Sequence, residues 1–489
     1  MDLYSLTLHE AKEMLESGDI SAVQLTESVL ARMDAVEGTI RAYITRNKEG
    51  ALEAARKADS LRSQGKAGLL CGLPIGIKDV LCTSDLKTTC GSKILENFQP
   101  PYDATAVEKL KKQGAVITGK LSMDEFAMGS SSETCAFSVP VNPWNTEHVA
   151  GGSSGGSAAS VAACECLASL GTDTGGSIRQ PASFCGTVGL KPTYGRVSRY
   201  GMIAYASSFD QIGPLTRDVA DCALMLRAIA GFDPKDSTSL NQPVPDYSSS
   251  LKDGLSGIRI GVPEEYFGLG LHEDVNKVVK KAIDMLRDAG AEIIEISLPH
   301  TEYSLAAYYL IAMAEASSNL ARFDGVRFGF RADDCSSLDE LYRRSRSLGF
   351  GQEVKKRILL GTYALSSGYY DAYYKKASQV RSLVRRDFKE AFGKCDLICS
   401  PVSPVPAFAF GETSKDPMAI YLSDILTISS NLTGIPSISI PGGFSVDGLP
   451  IGVQLQGPHL AEELLFQAGW NLEQRTGIKG KTPDLTGAI

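Results

Sequence analysis

Glycine and serine crowd into one part of this chain. From Gly151 the sequence reads GGSSGGSAAS, and from Gly171 it reads GTDTGGSIRQPASF. Three chemistries suit such a run. A phosphate cradle of the GxxxxGK[ST] type needs a lysine behind the last glycine, and neither segment has one. The nearest fit, Gly114 to Lys120, places Leu121 where Ser or Thr belongs, and the apolar residues between its glycines make a strand. A nucleophile elbow is matched literally by Gly151-Gly152-Ser153-Ser154-Gly155, but the motif should follow a hydrophobic strand. Here it follows the turn-rich VNPWNTEHVA, and the two late histidines, His300 and His459, sit beside prolines with no other catalytic signal. The third chemistry needs no histidine. A serine can be activated by a lysine, provided burial removes water from the ammonium and lowers its pKa. Lys78 ends the apolar run of LCGLPIGIKDV, Leu70 to Val80, where such burial is plausible. Plainer readings stand beside this one. Lys78 can pair with Asp79 at a strand end, and Ser177-Ile178-Arg179-Gln180 fits a capping box with Ser177 as mere N-cap. The GGSSGG run can be a flexible turn. Residue types alone leave these open.

The elements that must position these residues alternate between strand and helix. Thr7-Leu8-His9-Glu10 and Ser21-Ala22-Val23-Gln24 both fit capping boxes, so residues 7 to 60 are expected to be helical. Short apolar runs at Leu70–Val80, Ala115–Lys120, Leu167–Gly171, Ile258–Pro263, Ala291–Pro299, Asp396–Val402 and Pro436–Phe444 read as strands. Helices are expected at Ser157–Cys164, Asp274–Ala289 and through most of 301–392. This alternation predicts an α/β fold with one large mixed sheet. Asp233 to Ser250, rich in Pro, Ser and Asp, is either a domain boundary or a long surface loop.

Composition narrows the function classes. The chain has 489 residues and a net charge of −8, which argues against holding nucleic acid by bulk electrostatics. Hydrophobic residues at 43% exclude a disordered protein. The N-terminus carries acids from its second residue and does not read as a secretory signal. The uncharged stretch Ile425 to Val446 contains Asn, Gly, Pro and many hydroxyls, which suits no membrane span. Eleven cysteines in no paired framework point to a reducing cytoplasm, and none sits at zinc spacing. No metal is expected.

GGSSGGSAASVAA followed by GTDTGGSIRQPASFCGTVGLKPTYGRVSR resembles the amidase signature family. Lys78 stands 75 residues before Ser153, and Ser177 stands 24 after it, which also fits. The flanks GLPIGIKDV and SSNLTGIPSISIPGG match as well, so the resemblance spans about residues 5 to 480. It implies the amidase signature fold, a large mixed central sheet covered by helices on both faces. It implies one amidase domain, 61–489, with a mainly helical insertion at about 301–392 and an N-terminal helical segment, 1–60, packed on the core. It also implies Ser177 as nucleophile, Ser153 as proton relay after a cis peptide, and Lys78 as base. Thr174, Gly175 and Gly176 would then offer backbone N–H groups to an oxyanion.

NLARFDGVRFGFRA and VKKRILLGTYALSSGYYDAYYKKA further resemble the A subunits of tRNA-dependent amidotransferases. That branch implies hydrolysis of glutamine, with ammonia released to amidate Glu-tRNA(Gln), and often Asp-tRNA(Asn). A B subunit would bind tRNA and phosphorylate the mischarged aminoacyl group with ATP and Mg²⁺. A C subunit would tie the heterotrimer together, and the glutaminase needs no cofactor of its own. Arg357 would take the substrate's α-carboxylate, Asp424 its α-ammonium, and Tyr308, beside Tyr309, a hydrogen bond. Without the resemblance, Arg357 and Asp424 read as solvated helix charges. Residues 341 to 390 hold 12 Lys/Arg against 4 Asp/Glu, suiting a tRNA, a B subunit or simply a solvated face. Two rival readings are a stand-alone amidase for small or fatty amides, with no use for an Arg357–Asp424 pair, and a non-catalytic scaffold, which would not need Lys78, Ser153 and Ser177 together.

Overall fold

A computed structural model describes residues 2–268, 270–412 and 423–485. Thirteen strands lie among them: β1 Tyr43–Arg46, β2 Pro74–Lys78, β3 Val116–Leu121, β4 Val141–Asn142, β5 Asn145–Val149, β6 Ala168–Asp173, β7 Val188–Lys191, β8 Gln211–Thr216, β9 Arg259–Pro263, β10 Glu292–Ile296, β11 Leu397–Pro401, β12 Ser437–Phe444 and β13 Pro450–Gln456. Eleven form one sheet in the order β1-β3-β2-β6-β8-β7-β12-β13-β11-β9-β10, and β4 and β5 pair separately. The sheet is mixed, as the alternation predicted. β3-β2-β6 and β11-β9-β10 are parallel, and the strands between β6 and β11 run antiparallel. Central strands such as β2, β6, β8 and β13 are buried along their whole length, which is why they read as continuous apolar runs rather than alternating ones.

Both N-terminal capping boxes form, at Thr7/Glu10 and Ser21/Gln24. The segment expected to be helical to residue 60 breaks at Gly18 between the two capped helices, and again where a strand intervenes. The helix Ala22–Ile40 stops at Arg41, which takes φ +55°, and Glu37 accepts from the N–H groups of Ala42 and Tyr43. The chain then pairs as β1 along the open edge of β3 before the helix Lys48–Ser63 begins. Tyr-Ile-Thr is a strand-forming triplet, too short to stand out from the flanking helical periodicity. The helix Glu273–Asp288 buries Val275, Val279, Ala282, Ile283 and Leu286, one stripe at helical spacing. Between 301 and 392 the helices are Ser304–Asn319, Leu338–Gly349, Gln352–Leu365 and Lys376–Ala391. A non-helical stretch around Gly325 and Gly329, both at positive φ, interrupts them. The segment 233–250 is a surface loop, fastened by Arg196 to Pro243 O and Tyr247 Oη, and strands of the same sheet lie on both sides of it. None of the eleven cysteines is in a disulfide, and no helix among the described residues is long and apolar enough to cross a membrane.

Candidate active site

Strand β2 ends on Lys78, whose side chain is fully buried. Its Nζ lies 2.8 Å from Ser153 Oγ, 2.8 Å from Ser154 Oγ and 2.9 Å from Thr172 Oγ1. The neighbouring Asp79 does not pair with it. Successive side chains of a strand point to opposite faces, and Asp79 meets the buried Lys120 at 3.2 Å. Burial therefore dominates, and the Lys78 pKa falls from 10.5 to about 7, against the pull of Asp124, Asp173 and Asp210. A neutral amine has two N–H bonds and one lone pair. Ser154 Oγ donates its own proton to Thr172 O at 3.1 Å, so toward Nζ it can only accept. With Ser154 and Thr172 taking the two N–H bonds, the lone pair is left for the Ser153 hydroxyl.

The Gly152–Ser153 peptide is cis. Gly152 N–H donates to Gln180 Oε1 at 2.9 Å, and Ser154 N–H donates to Ser177 O at 3.1 Å, tying the two Gly/Ser turns together. Ser177 is 8% exposed. It is not the N-cap of a capping box: Gln180 N–H bonds to Gly176 O, and the helix Arg179–Cys185 starts from Ile178 without side-chain capping. Among the described residues no hydrogen bond joins Ser177 Oγ to Ser153 Oγ, so the two hydroxyls are not in line with one another here.

The three backbone groups expected at the oxyanion divide. Gly176 N–H donates to Asp173 Oδ1 at 2.9 Å and is already committed. The N–H groups of Thr174 and Gly175, and that of Ser177, make no backbone bond among the described residues. Gly176 takes φ +137°, and a Cβ there would lie 2.2 Å from Thr427 Oγ1, so only glycine fits. Asp173 was missed from sequence and organises this turn. Its carboxylate also accepts from Ile178 N–H, Asn431 Nδ2 and Arg179, whose Nε and Nη2 are each 3.0 Å away. That pairing holds its pKa down to about 2 despite complete burial. The available signal was an Asp and an Arg six residues apart in a run of otherwise small or uncharged side chains.

The three residues assigned to glutamine converge near this turn. Tyr308, on the helix Ser304–Asn319, lies against Gly175, where a Cβ would come 2.6 Å from Tyr308 Oη. Arg357, on the helix Gln352–Leu365, is 2% exposed and lies near the rings of Tyr205 and Tyr309. It donates to Glu353 Oε1 at 2.8 Å and Tyr205 Oη at 3.0 Å. Asp424 is buried, accepts from Ser130 Oγ at 2.7 Å, and is pushed up to about 7 by burial, with the Arg357 charge opposing. Neither Arg357 nor Asp424 is thus a solvated helix charge. The basic stretch 341–390 is split the same way. Arg346 and Arg381 turn inward to backbone carbonyls, whereas Arg343, Lys375 and Arg386 are exposed and paired with acids one turn away.

One His/Asp group among the described residues, His9, Asp218 and Asp221, gathers donor atoms as an ion site would. Its members cap helices instead. Asp221 accepts from Leu8 and His9 N–H, and Asp218 caps the helix Val219–Ile229.

A buried lysine among hydroxyls, two serines on glycine turns and N–H groups without backbone partners beside the outer serine form an arrangement suited to acyl transfer of the amidase type. The amidase family model matches residues 24–466, and the chain belongs to this family. Its curated relatives are more particular. The chain is 60% identical over 479 residues to the A subunit of the Glutamyl-tRNA(Gln) amidotransferase of Desulfotalea psychrophila, covering 98% of this chain and 99% of that protein. The solved A subunit of the Glutamyl-tRNA(Gln) amidotransferase of Thermotoga maritima is 41% identical with a TM-score of 0.82, covering 99% and 98% of the two chains. The native peptide amidase of Stenotrophomonas maltophilia is 29% identical with a TM-score of 0.82, covering 98% of each.

Proposed function

We propose that this chain is the glutamine-hydrolysing A subunit of a tRNA-dependent amidotransferase. The observation that carries the reading is that Arg357 and Asp424, groups of opposite charge, are both buried and interact electrostatically with one another and with Tyr308, which lies against Gly175 in the Ser177 turn. An α-amino acid needs one cation and one anion there, and a simple or fatty amide needs neither. The full-length identity to the A subunits of amidotransferases supports the same choice over a stand-alone peptide or small-amide amidase.

In this mechanism Arg357 binds the glutamine α-carboxylate, Asp424 the α-ammonium, and Tyr308 adds a hydrogen bond. Ser177 Oγ closes on Ser153 as substrate binds, a contact that tightens in the reacting complex. Its proton passes to Ser153 Oγ as the Ser153 proton passes to Lys78 Nζ, and Ser177 attacks the side-chain amide carbon. The N–H groups of Thr174 and Gly175 face the oxyanion, and losing one such donor costs about 10²–10³ in rate. The relay runs back to protonate the departing nitrogen, releasing ammonia and leaving a glutamyl ester on Ser177. Water, deprotonated by the same relay, then frees glutamate.

The ammonia serves a partner. In this reading a B subunit carries tRNA and uses ATP and Mg²⁺ to activate Glu-tRNA(Gln), a C subunit ties the two together, and the glutaminase holds no metal or cofactor. Unpaired thiols suit a complex of the reducing cytoplasm. The amidase core spans 61–489, the segment 1–60 packs on it, and the helical insertion 301–392 supplies Tyr308 and Arg357. A glutaminase assay with and without co-expressed B and C partners tests the proposal. Turnover should vanish in Ser177→Ala and Lys78→Ala, and KM should rise in Arg357→Ala. Efficient hydrolysis of simple amides, indifferent to Arg357→Ala, would sink it.

A further inference from the structure

The turn that faces the oxyanion is held from two sides. Asp173 holds Gly176 from within, and Thr174 sends its hydroxyl to a different partner. On the neighbouring strand β8, Gln211 lies opposite Asp173, so the pair just beyond the ladder is Thr174 and Asp210. Thr174 Oγ1 donates to Asp210 Oδ1 at 2.7 Å. The Asp210 carboxylate is buried and accepts from two backbone donors as well. Tyr205 N–H reaches Oδ2 at 2.9 Å, and Ala206 N–H reaches Oδ1 at 3.1 Å and Oδ2 at 3.0 Å. The loop 205–210 that this carboxylate closes carries two groups that touch the residues assigned to glutamine. Tyr205 Oη accepts from Arg357 Nη1 at 3.0 Å, and the Phe209 ring lies 5.5 Å from the Tyr308 ring. The helix Ser304–Asn319 fixes the same loop from outside. Glu315 Oε2 accepts from Ser208 N–H at 2.9 Å, and Asn319 Nδ2 donates to Tyr205 O at 3.2 Å.

We propose that Asp210 is a positioning residue for the hydrolysis, tying the oxyanion turn at Thr174 to the segment that braces Arg357 and Tyr308. The proposal rests on the glutaminase reading above. In that reading Arg357 and Tyr308 set where the α-groups of glutamine sit, and the Thr174 and Gly175 N–H groups set where its side-chain amide oxygen must arrive. The two requirements are met by different elements, helices of the insertion and the end of β6. A misplacement of about 1 Å between them costs about 10²-fold in rate. One carboxylate spans the gap, with Oδ1 on the turn and Oδ2 on the loop. A carboxylate suits the task because each oxygen accepts and neither carries a proton that would oppose a donor. Closing the loop alone would need only the Tyr205 and Ala206 N–H groups. The Thr174 hydroxyl adds nothing to the loop, and what it fixes is the residue whose N–H faces the oxyanion.

The test is glutamine turnover by the full chain with its co-expressed B and C partners. Thr174→Val keeps the branched shape, removes the hydroxyl and leaves the loop's own bonds to Asp210 in place. It should lower kcat about tenfold to 100-fold with KM for glutamine unchanged. Thr174→Ser restores the hydroxyl and should stay within about threefold of the wild type. Tyr205→Phe takes one partner from Arg357 and should raise KM about tenfold with kcat little changed. Asp210→Ala should do both. Unfolding midpoints show whether that variant is folded, and Thr174→Val supplies the reading if it is not. A Thr174→Val enzyme with wild-type kcat overturns the proposal, and a lowered unfolding midpoint beside that kcat marks the bond as merely structural. A Thr174→Ser enzyme as slow as Thr174→Val overturns it too. A wild type that hydrolyses propionamide but not glutamine overturns the glutaminase reading, and the contrast of Thr174→Val with Thr174→Ser on propionamide then decides the role of the tie.

Discussion

The hydrogen bonds around Lys78 make a pH prediction that Thr172→Val tests. Only neutral Lys78 can act as base. With a pKa of about 7, roughly one molecule in eleven is competent at pH 6, half at pH 7 and about ten in eleven at pH 8. At saturating glutamine, kcat should therefore rise about fivefold from pH 6 to pH 7, approach tenfold per unit only below pH 6, and flatten by pH 8. Thr172→Val keeps the shape but removes the acceptor 2.9 Å from Nζ. A hydrogen bond from an ammonium is worth more than one from an amine, by about 1 kcal/mol. Its loss should favour the neutral form by about 0.7 pKa unit. The acid limb should move down from about 7 toward about 6. The plateau should fall about tenfold or more, because the lone pair is no longer held toward Ser153. Stopped-flow or steady-state ammonia release across pH 5 to 9 measures both. A kcat still climbing tenfold per unit at pH 9 would refute the buried-base argument, and an acid limb unmoved in Thr172→Val would refute the role given to its hydroxyl.

Other outcomes follow from neighbouring groups. If Asp424 holds the substrate ammonium, as proposed, it must be ionised, and its pKa of about 7 should make KM for glutamine rise as pH falls below 7 while kcat follows Lys78; Asp424→Asn should raise KM and remove that pH dependence. Asp173→Asn leaves Arg179 without its buried partner and should destabilise the fold by about 3–5 kcal/mol in denaturant melts. Because the folded-state pKa of Asp173 is depressed to about 2, its stabilisation is complete above pH ~4 and is lost as pH falls through about 2, visible as a falling unfolding midpoint. Gly176→Ala forces a Cβ onto Thr427 Oγ1 and should lower kcat about 10²-fold or more, read against an unchanged far-ultraviolet circular dichroism spectrum.

Much of the site was legible in sequence, but unevenly. Ser153 and Ser177 stood out because glycines crowd where backbones must turn tightly, but Gly176, expected to offer its N–H to an oxyanion, spends it on Asp173 instead. The buried strands showed as apolar runs. β1 was hidden because its pairing with β3 is a contact between distant segments, and four residues carry too little pattern to announce it. Thr172 and Ser154 were hidden for a related reason. They look like filler in a Gly/Ser/Thr-rich run, and their role exists only once Nζ arrives between them.

Lys78 separates what the chain determines by itself from what only folding decides. The sequence by itself determined the three residue types, their spacing and the glycine turns that carry the serines. Residue types pointed to Lys78 as a base but could not decide between that role and a plain pair with Asp79. Read linearly, Lys78 has Asp79 beside it and can look paired. In the tertiary structure the strand's alternation sends Asp79 to Lys120 and leaves Lys78 among hydroxyls. Desolvation without an adjacent counter-ion is what lowers its pKa into the working range. The same holds for Arg357 and Asp424, separated by a long stretch of chain, each resembling a surface charge until the packing buries both near one turn.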